Sequence, residues 1–481
     1  MAHGVAAALA EQLGPEAVLG PEADLSPWAQ GARGERGRPA AVVRPVDTAA
    51  VARAVAYCVR HAIPFLTQSG NTGLVGGSIP DASGTQVVLS LDRLVRPLQI
   101  DGANRSARVG AGVRLARLNE ALEPAGLWFP VDLGADPCLG GMVATNTGGA
   151  RFLRYGDVRA NTLGLTVVLP DAEGTVLRLD RALRKDNTGP DWKQLFIGTC
   201  GAFGIVTECV LDLAPLPRAR ATALLVPSDA AAVPALLQRL ERCLGDDLSA
   251  LELMSGNAMR HALAQTPALR DPFAGVQPPA LALLVEIART RAPTTQDPPL
   301  DAVLEELLAG LWEAGDSPLA DAIFAPPEVL WPLRHALSPA VQQAGDLFAF
   351  DLAFERQRVL AFRESMRARL AADWPEIEVC DFGHVADGGL HFNLVCHDAE
   401  RAREPGYEAR LRAAVIAHAV EDFGGSFSGE HGIGRANQAA YDRYTAPTLK
   451  ALADRFGTAL GGVSAGGARF GEPPHGDDRG A

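Results

Sequence analysis

The chain has 481 residues, of which 47% are hydrophobic and 21% are charged. This composition is typical of a globular protein, and the length predicts two or three domains rather than one core. The formal net charge of −13, without any Lys/Arg run, argues against a nucleic-acid partner.

The first stretch, MAHGVAAALAEQLG, predicts a helix rather than a signal peptide, because it lacks a basic region and Glu11 interrupts its apolar run. No stretch reaches the roughly 18 apolar residues that a transmembrane segment needs. The seven cysteines are scattered and form no CxxC pair, which excludes the usual iron–sulfur and zinc-ribbon spacings. These features predict reduced thiols and a cytoplasmic location, with peripheral contact to a membrane left open.

From Ala41 to Pro217 the sequence alternates short apolar runs with helical patterns. PAAVVRPVD and IPFLTQSG predict strands, and TAAVARAVAYCVRHA between them predicts an amphipathic helix. PLPRARAT at 215–222 is the clearest boundary, because two prolines precede a new strand. We therefore predict a first α+β domain over residues 1–216.

The next region predicts four strands, ATALLVPS, LALLVEIAR, LFAFDLAF and LHFNLVCHD, with covering helices. This pattern predicts a smaller antiparallel-sheet domain of ferredoxin-like type over residues 217–425, ending at Gly424 and Gly425 after a helix. Residues 426–465 are predicted to return to the first domain as a helical segment. The Gly/Pro/Asp-rich residues 466–481 are predicted to be a disordered tail.

A glycine-rich loop, TQSGNTGLVGGSIPD, follows the apolar strand of the first domain. Glycines let a backbone turn several N–H groups towards one point, which creates a binding site for an anion. Its spacing fits neither GxxxxGKS nor GxGxxG. Two further loops, PVDLGADPCLGGMVATNTGGARF and WKQLFIGTCGAFGIVTE, are also rich in glycine. One such loop alone is most simply a set of turns, but three in one region favour a large phosphate-bearing ligand.

Two histidines, His384 and His391, flank a short stretch that contains Asp387, Gly388 and Gly389. These residues favour a tight turn, so the two imidazoles could meet at one metal ion or could form ordinary buried hydrogen bonds. Glu430 and His431 lie between glycines in FSGEHGIG. Two imidazoles and one carboxylate would leave open coordination positions, as catalytic metal sites do.

Arg334 and Ser338 lie four residues apart in VLWPLRHALSPAV, which places them on one face of a predicted helix. An arginine can bind a carboxylate through two parallel hydrogen bonds. A solvated helix arginine is the alternative.

Five motifs resemble those of the FAD-linked oxidase family and occur in the same order: QSGNTGLVGG, GGMVATNTGGARFLRYGDVRANTLGLTVVLPDAEG, DWKQLFIGTCGAFGIVTE, GHVADGGLHFN and SGEHGIG. The resemblance extends from about residue 35 to residue 445 and points to the D-lactate, glycolate and D-2-hydroxyglutarate dehydrogenase branch. It implies a two-part FAD-binding domain of the vanillyl-alcohol-oxidase type and a cap domain.

The resemblance also implies which residues contact a non-covalent FAD. The loop 67–78 would surround the pyrophosphate, 132–149 would run along the flavin and ribityl chain, and Gly201 and Ile205 would line the adenine or ribityl side. The first two groups comprise Gln68, Ser69, Gly70, Asn71, Thr72, Gly73, Gly76, Gly77, Ser78, Asp132, Gly140, Gly141, Thr145, Asn146 and Gly149.

By the same resemblance, His384, His391 and Glu430 would hold a divalent ion, zinc first, with manganese or iron as alternatives. His431 would be the catalytic base, and Arg334, Ser338 and Asn393 would contact the substrate. The implied reaction oxidises a D-2-hydroxy acid to the 2-oxo acid, with proton transfer to His431 and hydride transfer to flavin N5.

The chain departs from the family pattern at several positions. Ala349 replaces a lysine, Cys200 replaces a glutamate, and ADGG replaces Gly-Asp-Gly-Asn. The closing Asn-Pro-Gly-Lys element is also absent, with SAGGARF in its place. The lost lysine removes a second cation from the substrate pocket, which puts a dicarboxylate substrate in question.

Two other functions are compatible with parts of the sequence: a metallohydrolase, and a non-catalytic flavin-binding subunit of a larger complex. A hydrolase would not need three glycine loops. A non-catalytic subunit would be expected to lose the histidine and glutamate motifs. The expected partners are a small 2-hydroxy acid and an electron acceptor, which could be a quinone, a cytochrome or an electron-transfer flavoprotein. A homodimer is the ordinary expectation.

Overall fold

A computed structural model describes residues 2–313, 317–462 and 466–473. The first region begins with a helix, as predicted, and continues with mixed strands and helices. Its strands are β1 (Val18–Leu19), β2 (Ala41–Val43), β3 (Phe65–Gln68), β4 (Val87–Ser90), β5 (Leu98–Asp101), β6 (Ser106–Gly110), β7 (Leu127–Trp128), β8 (Thr162–Val168), β9 (Val176–Leu179), β10 (Ile205–Asp212) and β11 (Ala214–Pro215). Its helices are α1 (Ala2–Leu13), α2 (Ser26–Ala29), α3 (Thr48–Arg60), α4 (Leu115–Leu122), α5 (Leu139–Thr145) and α6 (Phe152–Tyr155).

These strands form two main sheets. The first has the order β1-β2-β4-β3, in which β2, β4 and β3 are parallel. The second is antiparallel, with the order β5-β6-β10-β8-β9. Helix α3 begins at Asp47, whose carboxylate accepts a hydrogen bond from the backbone of Ala50, and it buries Val51, Val55 and Cys58. β3 therefore lies beside a packed helix and leads directly into the first glycine loop.

The second region is built on one large sheet. Its strands are β12 (Ala219–Pro227), β13 (Leu248–Ser255), β14 (Leu281–Arg289), β15 (Leu319–Phe324), β16 (Asp346–Ala353), β17 (Ile377–Val379), β18 (Phe382–Gly383) and β19 (Gly389–Cys396). The helices of the second region and the segment after it are α7 (Val233–Leu244), α8 (Gly256–Gln265), α9 (Leu300–Trp312), α10 (Pro327–Gln343), α11 (Val359–Asp373), α12 (Ala399–Ala402), α13 (Tyr407–Ala417), α14 (Gln438–Tyr444) and α15 (Pro447–Ala459).

This sheet is antiparallel and has eight strands in the described residues, in the order β15-β12-β14-β13-β18-β19-β16, with β17 paired to β19. The prediction of an antiparallel sheet is confirmed, but the expected number of four strands is wrong. The four additional strands are β13, β15, β17 and β18. Hydrophobic clusters pack against both faces of the sheet.

The pairing of β16 with β19 sets the geometry of the predicted site. Asp351 lies opposite His391, and Ala349 lies opposite Asn393. Because side chains alternate along a strand, Phe350 and its neighbours at every second position enter the hydrophobic core. Asp351, His391 and Asn393 therefore share the other face.

The segment after residue 466 differs from the disordered tail that the composition predicts. The backbone N–H of Gly467 donates to the carbonyl oxygen of Gly77, and Arg469 forms an ion pair with Asp442 at 2.7 Å. The Phe470 ring contacts Phe203 at 5.8 Å between ring centroids. These contacts hold residues 466–473 against the first region. The rest of the predicted tail, 474–481, lies outside the described residues.

Within the described ranges, each helix is too short or too polar to cross a lipid bilayer. All seven cysteines are free thiols.

Candidate active site

A cavity of about 440 Å³ is lined by residues of both regions. It contains most of the residues predicted from the sequence. The predicted residues that line it are Gln68, Ser69, Gly70, Asn71, Thr72, Gly73, Gly77, Ser78, Asp132, Gly140, Gly141, Thr145, Gly149, Gly201, Ile205, Arg334, Ser338, His384, His391, Asn393, Glu430 and His431. The fold thus brings together residues that are up to about 360 positions apart in the chain.

The side chains of the first glycine loop mainly hold the loop in shape. Gln68 donates to the carbonyl oxygens of Trp28 and Ser78, at 3.1 and 2.9 Å. The Ser78 hydroxyl donates to the side-chain oxygen of Asn71 at 3.1 Å. Within the described residues, the backbone N–H groups of 70–73 donate to no backbone carbonyl. The loop therefore offers its backbone, rather than its side chains, to an anionic ligand.

Two glycines of the cavity wall are required by close packing. A Cβ atom on Gly70 would lie 2.9 Å from the backbone nitrogen of Cys138. A Cβ atom on Gly140 would lie 2.4 Å from the Cβ atom of Ala111. The first contact lets the two loops approach each other, and the second lets α5 lie against Ala111 after β6. The space between the loops is lined by backbone, which fits an extended phosphate-bearing cofactor.

Two residues predicted to contact the cofactor, Gly76 and Asn146, do not line the cavity. Gly76 has φ 68°, a left-handed conformation that serves the turn itself. Asn146 also has positive φ, and its side chain donates to Asp157 at 2.8 Å and accepts from the backbone of Arg159 at 2.9 Å. Asn146 thus stabilises the turn after α5, a role that its position in a glycine-rich motif does not reveal.

Asp132 lines the cavity, but its carboxylate is already bound by protein groups. Oδ2 lies 2.5 Å from Nη1 of Arg151 and 3.4 Å from Nε2 of His335. Burial acts to raise the pKa of Asp132, but these partners outweigh it and lower the pKa to about 2. Asp132 therefore belongs to an ion-pair network at the cavity wall.

Three candidate metal ligands converge at one point. The Nε2 atoms of His384 and His391 are 3.3 Å apart, and each lies 3.4 Å from Oε1 of Glu430. These side chains are 10–17% exposed. Metal–ligand bonds of about 2.0–2.1 Å in a tetrahedron require ligand atoms about 3.3–3.4 Å apart. The three donor atoms therefore fit three corners of a tetrahedral site.

Glu252, a residue that sequence reasoning missed, fixes the orientation of His384. Its Oε1 atom lies 2.7 Å from Nδ1 of His384, and its Oε2 atom accepts from Nε of Arg334 at 2.8 Å. Burial opposes the charge of Glu252, but His384 and Arg334 lower its pKa to about 2. Because a carboxylate can only accept, this contact favours a proton on Nδ1, and the neutral imidazole that a metal requires would then direct its Nε2 lone pair at the other two donors.

Glu430 connects the metal-ligand group to the second glycine loop. Its Oε2 atom accepts hydrogen bonds from the backbone N–H groups of Gly148 and Gly149, at 3.1 and 3.0 Å. Its other oxygen faces His384 and His391. One carboxylate therefore contacts the candidate metal site and the candidate cofactor site.

Asp351 holds the segment that carries Glu430 and His431. Its Oδ2 atom accepts from the backbone N–H groups of 429, 430 and 431 at 2.7–3.0 Å. Its carboxylate also lies 3.7 Å from Nδ1 of His431. Burial favours the protonated acid, but His431, His391 and these N–H groups lower the pKa of Asp351. Burial lowers the pKa of His431, although the charge of Asp351 opposes this effect.

The predicted substrate residues lie around the same cavity. Arg334 and Ser338 both line it from α10. The Arg334 guanidinium is buried and paired with Glu252, with Nη2 2.7 Å from Oε2. Asn393 donates to the backbone oxygen of His391 at 3.2 Å. Arg334, the expected carboxylate anchor, is therefore buried rather than solvated, and Glu252 compensates part of its charge.

Arg33 is a second cavity-lining arginine that no sequence motif indicated. Its Nη1 donates to the carbonyl oxygen of Leu74 at 3.3 Å. Burial lowers its pKa, and the nearby carboxylate of Asp351 opposes this effect. Among the described residues, its guanidinium forms no ion pair. It is therefore the less compensated of the two cavity arginines.

Curated relatives show substantial identity over most of the chain. A probable mitochondrial D-2-hydroxyglutarate dehydrogenase of Oryza sativa subsp. indica is 34% identical over 421 residues, which is 85% of this chain and 71% of that protein. A D-2-hydroxyglutarate dehydrogenase of Xanthomonas citri pv. viticola is 32% identical over 401 residues, 82% and 81% of the two chains. A D-2-hydroxyglutarate–pyruvate transhydrogenase of Saccharomyces cerevisiae is 30% identical over 414 residues, 83% and 79% of the chains.

Solved structures share the fold at lower identity. A 4-ethylphenol oxidase from Gulosibacter chungangensis has a TM-score of 0.74 at 18% identity and covers 98% of this chain and 97% of its own. A p-cresol methylhydroxylase has a TM-score of 0.72 at 16% identity, covering 95% and 94% of the chains. These neighbours are of the vanillyl-alcohol-oxidase type, as the sequence resemblance implied.

Two family models match the two regions of the chain. Residues 39–180 match the FAD binding domain, which supports FAD as the ligand of the glycine loops. Residues 216–459 match the C-terminal domain of FAD linked oxidases. With both regions matched in this order, the chain belongs to the FAD-linked oxidase family.

Proposed function

We propose that this protein oxidises a D-2-hydroxy acid to the 2-oxo acid, with FAD as electron acceptor and a divalent ion held by His384, His391 and Glu430. Relatives at about 30–34% identity named D-2-hydroxyglutarate dehydrogenase support the FAD-dependent oxidation. The observation that carries the metal proposal is the triangle of donor atoms with sides of 3.3–3.4 Å beside the glycine-lined cavity.

The residues around this triangle fit a bound cation. Glu252 keeps the proton of His384 on Nδ1, and Gly148 and Gly149 bind the oxygen of Glu430 that faces away from the imidazoles. A divalent ion, when bound, would polarise the hydroxyl and carboxylate of a 2-hydroxy acid. Zinc suits this donor set best, with manganese and iron as alternatives.

His431 is the proposed general base. Its side chain is 15% exposed and lines the cavity, with its ring stacked on His391 at 5.2 Å between centroids. Asp351 lies near Nδ1, which favours the tautomer with the proton on Nδ1 and leaves Nε2 free to accept the substrate hydroxyl proton. FAD, when bound, would accept the electron pair of the oxidation.

Arg334, Ser338 and Asn393 are the proposed substrate contacts. Arg334 keeps the N–H groups not used by Glu252, and these can bind one carboxylate of the substrate. Arg33 offers a second positive charge in the same cavity. The chain has Ala349 where the family pattern has a lysine. The expected electron acceptors, the homodimer and the cytoplasmic location stay predictions. The names of several relatives place those relatives in mitochondria.

The test is the visible spectrum of the purified protein, mixed anaerobically with D- and L-forms of lactate, malate and 2-hydroxyglutarate. We expect one or more D-acids to bleach the flavin band. Chelator treatment should slow bleaching at least about 100-fold, and added zinc or manganese should restore it. Bleaching that persists unchanged after complete metal removal would overturn the metal proposal and leave the FAD assignment intact.

Single-residue variants test the proposed role of His431 as general base, separately from the test of the metal. His431→Ala should reduce the rate of flavin reduction about 10²- to 10⁴-fold without loss of bound flavin or metal. His61→Gln, a substitution of an exposed histidine, is the matched control and should leave the rate unchanged. Unchanged turnover in His431→Ala would contradict the proposed base and favour a non-catalytic flavin-binding subunit.

A further inference from the structure

Four side chains of metal-ligating type meet on the second region, away from the residues that line the cavity. His261 belongs to α8, Glu378 and Cys380 belong to β17 and the residue after it, and His397 follows β19 directly. Glu378 and Cys380 are two residues apart on extended chain, so their side chains point to the same side. We call these four residues the α8–β17 cluster.

One oxygen of Glu378 is the centre of this cluster. Its Oε2 atom lies 2.8 Å from Nε2 of His261 and 2.9 Å from Nε2 of His397. The donor atoms of His261, Glu378 and Cys380 all lie within 4.8 Å of one another. The guanidinium of Arg260 binds the other carboxylate oxygen, Oε1. Arg260 therefore leaves Oε2 to the two imidazoles and the thiol.

The cluster is largely shielded from water. The side chains of His261 and Glu378 are each 17% exposed, and Cys380 is fully buried. His397 is about half exposed and covers the cluster from the solvent side. The imidazole of His261, the carboxylate of Glu378 and the thiol of Cys380 are donors of the kinds that zinc binds, and His397 contacts this group through Oε2 of Glu378.

We propose that the α8–β17 cluster binds a second divalent metal ion, with zinc as the ion that best suits these nitrogen, sulfur and oxygen donors. The site is distinct from the His384–His391–Glu430 group and does not depend on the proposed reaction. Its three closely spaced ligands come from α8 and from β17 with the residue after it, so its role is to fasten α8 to β17. β17 continues through Asp381 into β18, which ends immediately before His384.

The charges of the cluster balance when an ion is bound. The Glu378 carboxylate and a Cys380 thiolate carry one negative charge each, and both imidazoles are neutral as ligands. A divalent ion therefore makes the set electrically neutral. Burial raises the pKa of the Cys380 thiol, and the charges of Glu378 and Asp381 add to this effect. Metal binding consequently releases one proton from Cys380 to solvent.

Measuring the metal content per chain distinguishes a metal site from a hydrogen-bond network around Glu378 that holds no ion. The full-length protein is loaded with zinc, freed of unbound metal by gel filtration and analysed by mass spectrometry for zinc and protein. His261→Gln and Cys380→Ser should each lose one equivalent relative to the parent protein. His384→Ala should retain this equivalent, and the exposed-histidine control His61→Gln should match the parent. Circular dichroism establishes that each variant is folded.

Cobalt supplies a second readout that the active-site group cannot produce, because it contains no sulfur ligand. Loading the protein with Co²⁺ should give a near-ultraviolet sulfur-to-cobalt charge-transfer band that disappears in Cys380→Ser and persists in His384→Ala. A folded His261→Gln protein with unchanged zinc content would overturn the proposal, as would the absence of the cobalt–thiolate band. Both outcomes leave the proposed oxidation reaction untouched.

Discussion

Arg33 and Arg334 line the same cavity, but their charges are compensated to different degrees. Arg334 is held by Glu252 at 2.7 Å, in a pair that is almost fully buried. Arg33 contacts a backbone oxygen of the first glycine loop and has no ion pair within the described ranges. A half-buried guanidinium without an ion pair favours an anionic ligand. Arg33 can therefore supply the positive charge that is absent at Ala349, where the family pattern has a lysine.

This assignment predicts a change in substrate preference for Arg33→Met. The KM for a D-2-hydroxy acid with a second carboxylate, such as D-2-hydroxyglutarate, should rise about 10- to 100-fold, because a charge-assisted hydrogen bond is lost. The KM for D-lactate should stay within about twofold. Steady-state kinetics with both acids measure the difference, and Arg36→Met, at an exposed arginine three positions away, is the control. An equal rise for both acids would contradict a role in binding the second carboxylate.

At the residue scale, the sequence indicated the site residues that lie in recognisable motifs. It did not indicate the residues that hold them in place. The grouping of His384, His391 and Glu430 was implied by the resemblance to the family, because their two short motifs alone left a metal site and ordinary hydrogen bonds both open. Glu252 and Asp351 have no motif that marks them as partners of these residues. Glu252 meets His384 across 132 positions, and such a contact depends on sheet order, which the local pattern does not contain.

At the scale of secondary-structure elements, the turn that carries Gly148 connects the second glycine loop to Glu430. A Cβ atom at position 148 would lie 2.6 Å from Oε2 of Glu430. Because both Gly148 and Gly149 donate their N–H groups to this oxygen, a side chain here displaces the carboxylate that also faces His384.

Gly148→Ala should therefore weaken metal binding at the active-site group about 10- to 100-fold, the usual effect of disturbing the groups that orient a ligand. Competition with a metal chelator measures the affinity. Gly310→Ala in α9 is the matched control, because a Cβ atom there meets no other atom within 4 Å. Equal metal affinities in the two variants would show that Glu430 is not oriented by this turn.

Three of the strands that the sequence missed, β13, β17 and β18, escaped prediction for two physical reasons. β13 is buried along its whole length in the middle of the sheet, so it lacks the alternation of apolar and polar residues that marks a half-exposed strand. It also carries Glu252, a charged residue that lowers its apparent strand character. β17 and β18 have three and two residues, too few for any periodicity to appear.

At the scale of the whole molecule, the two regions meet at a buried network centred on Arg151. This residue of the first region binds Glu286 on β14 at 2.9 Å and Asp132 at 2.5 Å. Trp331 on α10 donates to the same Glu286 at 2.7 Å. Removing one member leaves a buried charge without its partner, which is strongly destabilising.

The Asp132→Asn substitution should therefore lower the free energy of unfolding by an amount that depends on pH. The pKa of Asp132 is lowered from 3.8 to about 2, so its stabilising effect of about 2 kcal/mol is complete above pH 3.8 and is lost as pH falls towards 2. Thermal unfolding with saturating FAD should show a clear difference from the parent at pH 7 and a much smaller one near pH 2.5. Asp321→Asn, at an exposed aspartate, is the control. A difference that is independent of pH would contradict this explanation.

The position of Glu430 has a consequence for the binding of the proposed metal ion and FAD. One oxygen faces the imidazoles of His384 and His391, and the other binds the backbone of the loop that would run along the flavin. An ion that orders this carboxylate also orders the loop, and a cofactor that orders the loop also orders the carboxylate. Each ligand then raises the affinity of the other by the same factor, as thermodynamic reciprocity requires. On the proposed arrangement, protein prepared without metal should therefore lose FAD more readily than metal-loaded protein.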